Sequence, residues 1–394
     1  MKYIDTEKHL IKSWCNNPDD GAIEQAKNIA NLPFIHKHVS LMPDFHLGFG
    51  MPIGCVIACK NVIIPNAVGK DGGCGVLAVK TSLKFKEIDQ SLIKNIMSDI
   101  RNLIPIGLGK HHQKKQDKKY MPESVVNISV TKDARPICYR EYDNARKSLG
   151  TLGSGNHFWE IQKDEDGFIW FMIHSGSRNL GSKVADHYNK LAVELNAKWY
   201  SSVPKSHDLA FLPTYTKEAQ LYLSEMDYCL EFAKCSRDLM AERTKEAFLN
   251  HIECEFEESI NIHHNYAAIE NHFGANVWVH RKGATSAREG ELGIIPGSQG
   301  TNSYIVKGLG NKESFTSCSH GAGRVMGRKQ AQRELNLEDE INKLEDQGII
   351  HSIRNVKDLD EATGAYKCVD IVMEEQKDLV EIVTKLSPLA VIKG

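Results

Sequence analysis

The sequence lacks the features that would place it in a membrane or outside the cell. It has no run of about 18 apolar residues, and residues 1–5 do not begin a signal peptide. None of its ten cysteines forms the Cys-x-x-Cys pair that a structural zinc site uses. It also has no low-complexity tract. We therefore expect a globular, cytoplasmic protein whose cysteines are mostly small buried side chains in a reducing compartment.

Two common nucleotide-binding motifs are absent as well. The chain has no Gly-x-x-x-x-Gly-Lys-Ser/Thr loop and no Gly-x-Gly-x-x-Gly fingerprint, so motifs argue against P-loop and Rossmann sites. The formal net charge is only −2, and a nucleic-acid partner would therefore need a local basic patch. The densest basic run is residues 110–119, which a solvated surface loop explains equally well.

Short apolar runs that end in polar or glycine-rich loops predict the strands. They lie at residues 52–58, 76–79, 167–173, 276–280 and 303–306. Helical periodicity predicts a long scaffold helix over 217–250 and shorter helices over 92–102 and 328–344. The chain has no internal repeat and no Pro/Ser-rich linker, so residues 1–394 are expected to form one compact α+β domain. In this domain a central β-sheet core would carry pocket-forming loops at its strand ends, with helices at the periphery.

Histidines and two other metal-binding residue types cluster at the predicted strand ends. Asp71 and Cys74 lie three residues apart in a glycine-rich turn, so a carboxylate and a thiolate can converge on one cation. Neutral imidazoles from His157, His174 and His264 would complete the donor set. Such a set suits Mn²⁺, Zn²⁺ or Co²⁺, and a thiolate can bridge two ions. Each histidine taken alone is also consistent with an ordinary structural residue.

A separate pattern points to phosphate binding. Residues 294–303 read as a strand that leads into a loop of small and hydroxylated residues. Backbone N–H groups in such a loop can form an anion-binding nest. An ordinary turn is the alternative interpretation of the same residues.

Together these segments resemble the RtcB family of RNA ligases. The similarity runs from the Met-Pro-Asp-x-His-x-Gly segment at 42–48 to the terminal Val-Ile-Lys-Gly at 391–394. Its most specific segments occur in the family's order at residues 68–75, 150–160, 173–181, 263–266, 281–287, 294–300 and 317–324. The resemblance implies an α+β ligase that joins RNA 3′-phosphate or 2′,3′-cyclic phosphate ends to 5′-hydroxyl ends. The implied route passes through a covalent histidine-GMP intermediate and an RNA(3′)pp(5′)G intermediate, with two Mn²⁺ ions and GTP as cofactors.

The resemblance assigns the reactive residues individually. His320 matches the histidine that becomes guanylylated. The residues that match ligands of the two Mn²⁺ ions, with the thiolate as the bridge, are Asp71, Cys74, His157, His174 and His264. RNA-phosphate contacts are expected from Arg178, Arg281 and Lys282. Four other histidines are expected to be structural, namely His46, His111, His112 and His263.

The resemblance also assigns a nucleotide pocket. Phe158 and Tyr366 would stack on guanine, while Glu160 and Lys393 would contact its edge. The full set of residues implied to contact GMP is Asn156, Phe158, Glu160, Asn265, Pro296, Gly297, Ser298, Gly300, Gly321, Ala322, Gly323, Tyr366 and Lys393.

The chain departs from the family pattern in small ways. Lys70 and Gly72 flank Asp71 where apolar residues are more common, and Gln299 stands where methionine is frequent. All five expected ligands and His320 are present, which favours an active enzyme in RNA repair or tRNA splicing. A metal-dependent cyclic phosphodiesterase and a non-catalytic RNA-end-binding protein are the alternatives. The expected partners are RNA and GTP, with an archease-like activator left open, no membrane, and a monomeric state.

Overall fold

The structure is a computed structural model that describes residues 1–124 and 136–394. Over these residues the chain forms ten α-helices and seventeen β-strands. The helices are α1 (Asp20–Ala30), α2 (Pro65–Val68), α3 (Gln90–Leu103), α4 (Ile137–Arg140), α5 (Tyr142–Ser148), α6 (Leu180–Lys198), α7 (Lys217–Leu249), α8 (Arg328–Glu334), α9 (Leu337–Glu345) and α10 (Val369–Glu375). Among the described residues, no helix pairs sufficient length with the apolar composition that a bilayer crossing demands.

The strands form two large sheets and two small ribbons. They are β1 (Lys2–Ile4), β2 (Leu10–Ser13), β3 (Ile35–His46), β4 (Ile53–Cys59), β5 (Val62–Ile63), β6 (Gly75–Lys84), β7 (Phe158–Asp164), β8 (Phe168–Ser175), β9 (Leu212–Pro213), β10 (Ile260–His263), β11 (Asn265–His272), β12 (Ala275–Lys282), β13 (Ala284–Ser286), β14 (Leu292–Ile295), β15 (Ser303–Gly308), β16 (Ser317–Ser319) and β17 (Val380–Lys393). The six-stranded sheet has the order β1-β2-β3-β4-β12-β11, and the seven-stranded sheet has the order β10-β6-β8-β7-β17-β15-β14. The predicted α+β class is confirmed, although the core contains two large sheets where one central sheet was expected.

Most of the predicted elements are present. The five predicted strands correspond to β4, β6, β8, β12 and β15, and two predicted helices correspond to α3 and α7. The prediction of one helix over 328–344 is wrong, because α8 ends at Glu334 and α9 begins at Leu337. Between them the Asn336 side chain accepts the N–H groups of Glu338 and Asp339. Asparagine caps a new helix in this way and interrupts the continuous one.

The strand order brings distant parts of the chain to one edge of the seven-stranded sheet. Cys74 directly precedes β6 and His157 directly precedes β7, while His174 lies at the end of β8. His174 pairs in register with both Val76 and Phe158. Because β8 is antiparallel to both neighbours, its end lies beside their beginnings. Three residues that are widely separated in sequence therefore meet.

The chain passes between the two large sheets at His264. This residue lies between β10 of the seven-stranded sheet and β11 of the six-stranded sheet. The His264 N–H donates to the Cys74 carbonyl at 2.9 Å, and the His264 carbonyl accepts from the Ala284 N–H at 3.1 Å. Ala284 begins β13, which pairs with β16 immediately before His320. The sheet junction thus places His264 and His320 next to the strand ends described above.

Candidate metal and nucleotide site

A cavity of about 460 Å³ opens at the junction of the two sheets. Nineteen of the residues predicted from sequence to form the site line it. They are Asp71, Cys74, Asn156, His157, Phe158, Glu160, His174, His264, Asn265, Lys282, Pro296, Gly297, Ser298, His320, Gly321, Ala322, Gly323, Tyr366 and Lys393. Gly300, Arg178 and Arg281 are the predicted residues that do not line it.

Five donor side chains meet at one end of the cavity in two overlapping trios. Cys74, His174 and His264 form one trio, and Asp71, Cys74 and His157 form the other, with the ligand atoms of each within 4.8 Å of one another. The Cys74 Sγ lies 3.2 Å from Nε2 of His174 and 3.5 Å from Nε2 of His157. Because Cys74 belongs to both trios, its sulfur would be available to two cations if each trio held one.

The protonation of these donors follows from their burial. Burial holds the pKa of His174 and of His264 well below the ordinary value, and nearby imidazoles act in the same direction. Both rings are therefore neutral at pH 7, as metal ligation requires. The His174 Nδ1–H donates to the Asn156 carbonyl at 3.1 Å, which leaves the Nε2 lone pair facing Cys74. Burial, followed by the negative charge of Asp71, raises the pKa of the Cys74 thiol well above its ordinary value. A bound cation would favour the thiolate instead.

His157 is held differently from His174. Nη1 of Arg178 donates to His157 Nδ1 at 3.3 Å, and His157 Nε2 lies 3.3 Å from the Asp71 carboxylate. A neutral ring that accepts at Nδ1 carries its proton on Nε2. Ligation by Nε2 would therefore require that proton to move and Arg178 to release Nδ1.

Arg237, on α7, is a buried cation that links three of the metal-site loops. It is fully buried, and its Nη1 donates to the Gly73 and Ser175 carbonyls at 3.0 and 2.9 Å. Its Nη2 donates to His263 Nδ1 at 3.1 Å. These acceptors adjoin Cys74, His174 and His264 in the chain.

The turn that carries Asp71 and Cys74 is pressed against α7. Gly73 has a φ of +80°, and a Cβ there would lie 2.9 Å from the Cys229 carbonyl of α7. A larger residue would push the turn away from the helix, so this position requires glycine. Gly72 is not constrained in this way, and Lys70 pairs with Asp186 of α6 at 2.8 Å. The two departures from the family pattern are therefore compatible with the turn.

His320 lies against the metal-donor cluster and is held by Asp44. The rings of His264 and His320 are 4.8 Å apart between centroids. His320 Nδ1–H donates to the buried Asp44 carboxylate at 2.6 Å, and the same oxygen accepts from the backbone N–H groups of His320 and Gly321. A ring whose Nδ1 carries the proton presents Nε2 as the nucleophilic atom.

The predicted guanine-contacting residues line the same cavity, and the Phe158 ring lies 5.4 Å from the His174 ring between centroids. Burial raises the pKa of Glu160 to about 8, with Lys393 and a hydrogen bond from Gln162 acting in the opposite direction. The Lys393 Nζ lies 5.3 Å from the centre of the Phe158 ring. The Phe158 ring and the Lys393 cation are thus adjacent, and Lys393 also acts on the buried carboxyl group of Glu160.

A second buried carboxylate, Glu361, organises this part of the cavity. Arg324 Nη1 and Arg328 Nε lie 3.2 and 2.8 Å from its carboxylate, and Lys393 Nζ lies 3.9 Å away. The Tyr366 hydroxyl also donates to it. All four of its partners line the cavity, so Glu361 fixes the position of Tyr366 and Lys393 from behind.

The structure alters three of the predicted contacts. Arg281 does not reach the cavity, because it is fully buried and forms a two-point ion pair with Glu270. Gly300 packs against Leu344 and Thr363 and does not line the cavity. The anion nest predicted at 294–303 is also reduced. The Gly297 and Ser298 N–H groups already donate to the Ser303 and Thr301 hydroxyls.

Two predicted residues line the cavity with their polar groups engaged by the protein. Lys282 donates to the Phe49 and Asn66 carbonyls at 2.6 and 3.0 Å, and burial lowers its pKa to about 8. Asn265 donates to the Asp71 carbonyl at 3.1 Å and accepts from the Gly283 N–H at 2.8 Å. In this state both side chains connect neighbouring loops.

The four histidines expected to be structural have protein partners. His46 donates to the Asp44 carbonyl and His111 to the Gly109 carbonyl, both from Nδ1. His112 accepts from Arg243 and His263 accepts from Arg237. Of the four, His46 also lines the cavity.

Sequence reasoning missed three residues that shape the site. Asp44 lies within the conspicuous 42–48 segment, and its signal was an acidic residue between the apolar neighbours Pro43 and Phe45. Arg237 stands four residues after Ala233 in the apolar stripe of the long helix, which marks it as a buried charge. Glu361 carries no comparable signal, since its partners come from other parts of the chain.

Two donor trios that share a buried thiol could hold metal ions, and they lie beside a histidine that is hydrogen-bonded to a buried carboxylate. The sequence model of the family described as tRNA-splicing ligase RtcB matches residues 25–394 of this chain. The chain therefore belongs to the RtcB family, as its motifs indicated.

Full-length relatives have the same family name. The chain is 38% identical over 409 residues to RNA-splicing ligase RtcB of Escherichia coli (strain K12), which covers 99% of each protein. It is 31% identical over 444 residues to tRNA-splicing ligase RtcB of Thermococcus kodakarensis, covering 95% of this chain and 91% of the relative. It is also 31% identical over 435 residues to RNA-splicing ligase RtcB of Mycobacterium tuberculosis, covering 94% and 100%.

Proposed function

We propose that this protein is a GTP- and Mn²⁺-dependent RNA ligase. It joins RNA 3′-phosphate or 2′,3′-cyclic phosphate ends to 5′-hydroxyl ends through guanylylation of His320. Family membership and the RNA-ligase names of the relatives support the reaction class. The single observation that carries the proposal is the placement of His320, held by Asp44 at Nδ1 and adjacent to the donor cluster at His264.

The donor set fits two divalent cations. Asp71, Cys74 and His157 would hold one, and Cys74, His174 and His264 would hold the other. One carboxylate, one thiolate and three imidazoles suit borderline divalent ions such as Mn²⁺. When bound, such a pair supplies charge neutralisation at phosphate oxygens.

The residues of the chain perform the rest of the first step. Nε2 of His320 attacks the α-phosphorus of GTP, a P–N bond forms, and pyrophosphate leaves. Asp44 keeps the proton on Nδ1 and stabilises the positive charge that develops on the ring, as a carboxylate partner does for a catalytic histidine. The histidine therefore needs no separate base to become nucleophilic.

The RNA ends then react in two further displacements. An oxygen of the RNA 3′-phosphate attacks the guanylyl phosphorus, the P–N bond breaks, and His320 is regenerated as RNA(3′)pp(5′)G forms. The 5′-hydroxyl of the second RNA attacks the RNA 3′-phosphorus, GMP leaves, and a 3′–5′ phosphodiester results. A 2′,3′-cyclic phosphate is first opened by water to the 3′-phosphate. Charge stabilisation and alignment dominate such phosphoryl transfers.

The part of the cavity lined by Glu160, Phe158 and Tyr366 selects guanine. The N1–H and N2–H groups of guanine can donate to the carboxylate of Glu160, whereas adenine has no donor at the N1 and C2 positions. ATP would leave the buried Glu160 without these two additional donors, which costs affinity relative to GTP. Phe158 and Tyr366 provide the aromatic faces for the base.

Covalent labelling tests the proposal directly. The protein is incubated with Mn²⁺ and GTP labelled at the α-phosphate, without RNA, and separated under denaturing conditions. We expect an acid-labile label that is lost in His320→Ala and kept in His251→Ala, a control histidine that pairs with Asp99 outside the cavity. An unlabelled wild-type protein would contradict the proposal.

RNA substrates with defined ends separate the remaining activities. Ligation of a 3′-phosphate strand to a 5′-hydroxyl strand, dependent on GTP, supports the ligase. Opening of a cyclic phosphate without a protein label would instead indicate a phosphodiesterase. Binding of RNA ends with neither activity would indicate a non-catalytic binding protein.

A further inference from the structure

A second groove lies on the other side of Arg178 from the metal-donor cluster. Its volume is about 280 Å³. The side chains that define its character are His111, Glu141, Asn144, Lys147, Arg178 and Lys183. None of these is among the residues assigned above to the metal or the nucleotide.

Arg178 forms the wall between the groove and the metal-donor cluster. It lines the groove, while its Nη1 donates to His157 Nδ1 at 3.3 Å and its Nε donates to the Thr151 hydroxyl at 3.1 Å. A Cβ on Gly153 would lie 2.1 Å from Nη1, so the guanidinium packs flat on glycine backbone. The Arg178 side chain therefore separates the groove from His157, a predicted metal ligand.

The backbone at this wall is strained. Arg178 and Asn179 have φ values of 51° and 70°, two consecutive left-handed residues that are not glycine. Such conformations are unfavourable for residues with a Cβ and concentrate at functional sites. They occur here at the residue whose side chain lies between the groove and His157.

The groove is positively charged although the chain as a whole is not. Lys147, Arg178 and Lys183 contribute three cations, and Glu141 contributes one carboxylate, which pairs with Lys183 at 2.6 Å. The formal charge of the whole chain is −2. This local excess is the electrostatic feature that a polyanion partner requires.

The basic run at 110–119 continues the groove outward. The His112 N–H donates to the Lys147 carbonyl at 2.9 Å, and the Gln116 N–H donates to the Arg146 carbonyl at 2.9 Å. Arg243 further holds His112 through a hydrogen bond of 2.9 Å. The run is therefore fixed beside α5, the helix that carries Lys147, while most of its side chains are exposed to solvent.

We propose that this groove binds the phosphodiester backbone of single-stranded RNA next to its reacting end. This inference rests on the proposed ligase function. Lysine and arginine contact phosphates, and amides such as Asn144 can bond to phosphate oxygens or 2′-hydroxyls. Among residues 1–124 and 136–394, no Phe, Tyr or Trp side chain lines the groove, so it suits the backbone better than stacked bases.

Charge reversal at the groove tests the inference. The double variant Lys147→Glu/Lys183→Glu is compared with Lys94→Glu/Lys198→Glu, which changes the net charge equally. Lys198 lies on α6 as well, but 15 residues after Lys183, or about 22 Å along the helix axis. Two labelled single-stranded RNAs are titrated, one with a 3′-phosphate and one with a 5′-hydroxyl as the only reactive end. The titrations are repeated at several salt concentrations.

We expect the groove variant to bind at least one of the two RNAs about tenfold or more weakly than the control variant. The salt dependence should fall by about 1.4 in log–log slope if two phosphate contacts are lost. The RNA that is affected identifies the strand that occupies the groove. Equal binding of both RNAs by the groove variant and the control would overturn the inference.

RNA-free guanylylation separates this inference from the proposed function. The groove variant should accept label from GTP like the wild type, because no groove lysine lines the cavity that holds His320. If the groove variant fails to label because it does not fold, Lys147→Gln/Lys183→Gln replaces it in the same comparison. Absence of labelling in the wild type would contradict the ligase proposal itself.

Discussion

The Asp44 carboxylate accepts a hydrogen bond of 2.6 Å from Nδ1 of His320 and is completely buried while doing so. Burial acts to raise the pKa of Asp44, but the neighbouring His320 and its hydrogen bond lower it below the ordinary value. The carboxylate is therefore ionised at neutral pH. It determines which nitrogen of His320 is free for chemistry.

Replacing Asp44 by asparagine should separate this orienting role from packing. An amide of similar size can present its NH₂ to Nδ1 and favour the ring with its proton on Nε2. We expect guanylylation to slow by about 10²–10⁴-fold, the range for loss of a positioned acid–base or orienting partner. Single-turnover labelling with GTP measures it.

Asp164→Asn is the matched control for that variant. Asp164 is also buried, and it accepts from the Trp170 indole and the Phe168 N–H, both on β8. It should lower stability and leave the labelling rate of the folded protein unchanged. If the Asp44→Asn variant were labelled at the wild-type rate, Asp44 would have no role in the mechanism.

Cysteine 74 should control both cation sites at once. Because its sulfur belongs to both donor trios, Cys74→Ala is expected to reduce bound Mn²⁺ from about two ions per chain toward none. His264→Ala removes a ligand from one trio only and should retain about one ion. Metal analysis after dialysis gives the stoichiometry, with the buried and remote Cys59→Ala as control. Two ions retained by Cys74→Ala would exclude the bridge.

Arg237 should govern metal affinity without touching the metal. Lysine preserves the charge in Arg237→Lys but cannot span the Gly73, Ser175 and His263 acceptors. We expect Mn²⁺ affinity to fall by about 10–100-fold, as is usual when a group that orients metal ligands is lost. Calorimetric titration of Mn²⁺ measures this without any turnover.

The control for Arg237 is on the same helix. Arg243→Lys also removes donors to backbone carbonyls, at Leu103 and Gly150, but neither residue directly adjoins a predicted metal donor in the chain. It should lower the melting temperature while Mn²⁺ affinity stays as in the wild type. Equal losses of affinity in both variants would make the effect of Arg237 one of general stability.

The buried carboxyl group of Glu160 predicts a pH effect on nucleotide use. Its raised pKa of about 8 means that the free protein carries it protonated at pH 7. Guanine donors require the ionised form, so the KM for GTP in guanylylation should fall as pH rises from 6 to 8. Glu160→Gln should show a weaker pH dependence and lose about 10²-fold of its preference for GTP over ATP. A GTP KM that changes identically with pH in both proteins would disprove this role.

Arg281 should matter for stability and not for RNA. Removing it in Arg281→Met leaves the buried Glu270 with only His272 and the exposed Arg288 as partners, which should cost about 3 kcal/mol of unfolding free energy, the lower end of the range for a broken buried ion pair. Adding Glu270→Gln should recover much of that loss. Urea unfolding of the single and double variants measures both effects. A stable Arg281→Met with weakened RNA binding would restore the original RNA-contact prediction.

The Glu270–Arg281 ion pair should also make the unfolding free energy depend on pH in the acid range. Burial acts to raise the pKa of Glu270, but its hydrogen bonds with His272 and Arg281 lower it to about 2 from 4.5. The contribution of Glu270 to the unfolding free energy is therefore present above pH 4.5 and is lost as the pH falls toward 2. Glu270→Gln should lack that part of the acid sensitivity.

Local patterns in the sequence were sufficient for most elements, and they picked out five donor residues that the structure brings together. Apolar runs located the strands because a buried strand needs continuous apolar residues, and five donors at strand ends were recognisable by residue type. The split of the 328–344 helix was missed because the capping ability of Asn336 competes with a periodicity that continues through it.

The other differences between the sequence-based expectations and the structure have a common physical origin. Arg281 follows the same polar pattern as a substrate-binding residue, and only the three-dimensional position of Glu270 on the paired strand β11 makes it a buried ion pair. The Glu361 cluster likewise joins Arg324, Tyr366 and Lys393 from separate segments. Contacts between residues far apart in the chain determine these roles, and no local pattern specifies them.

His264 lies where the chain leaves one large sheet and enters the other, while Cys74 and His174 belong to a single sheet. A shift of one sheet relative to the other would therefore separate donors without unfolding either sheet. Mild denaturant or heat should accordingly release bound cations before the sheets themselves melt. Bound cations would therefore hold the two large sheets together. The association of the two sheets would then depend on the supply of metal.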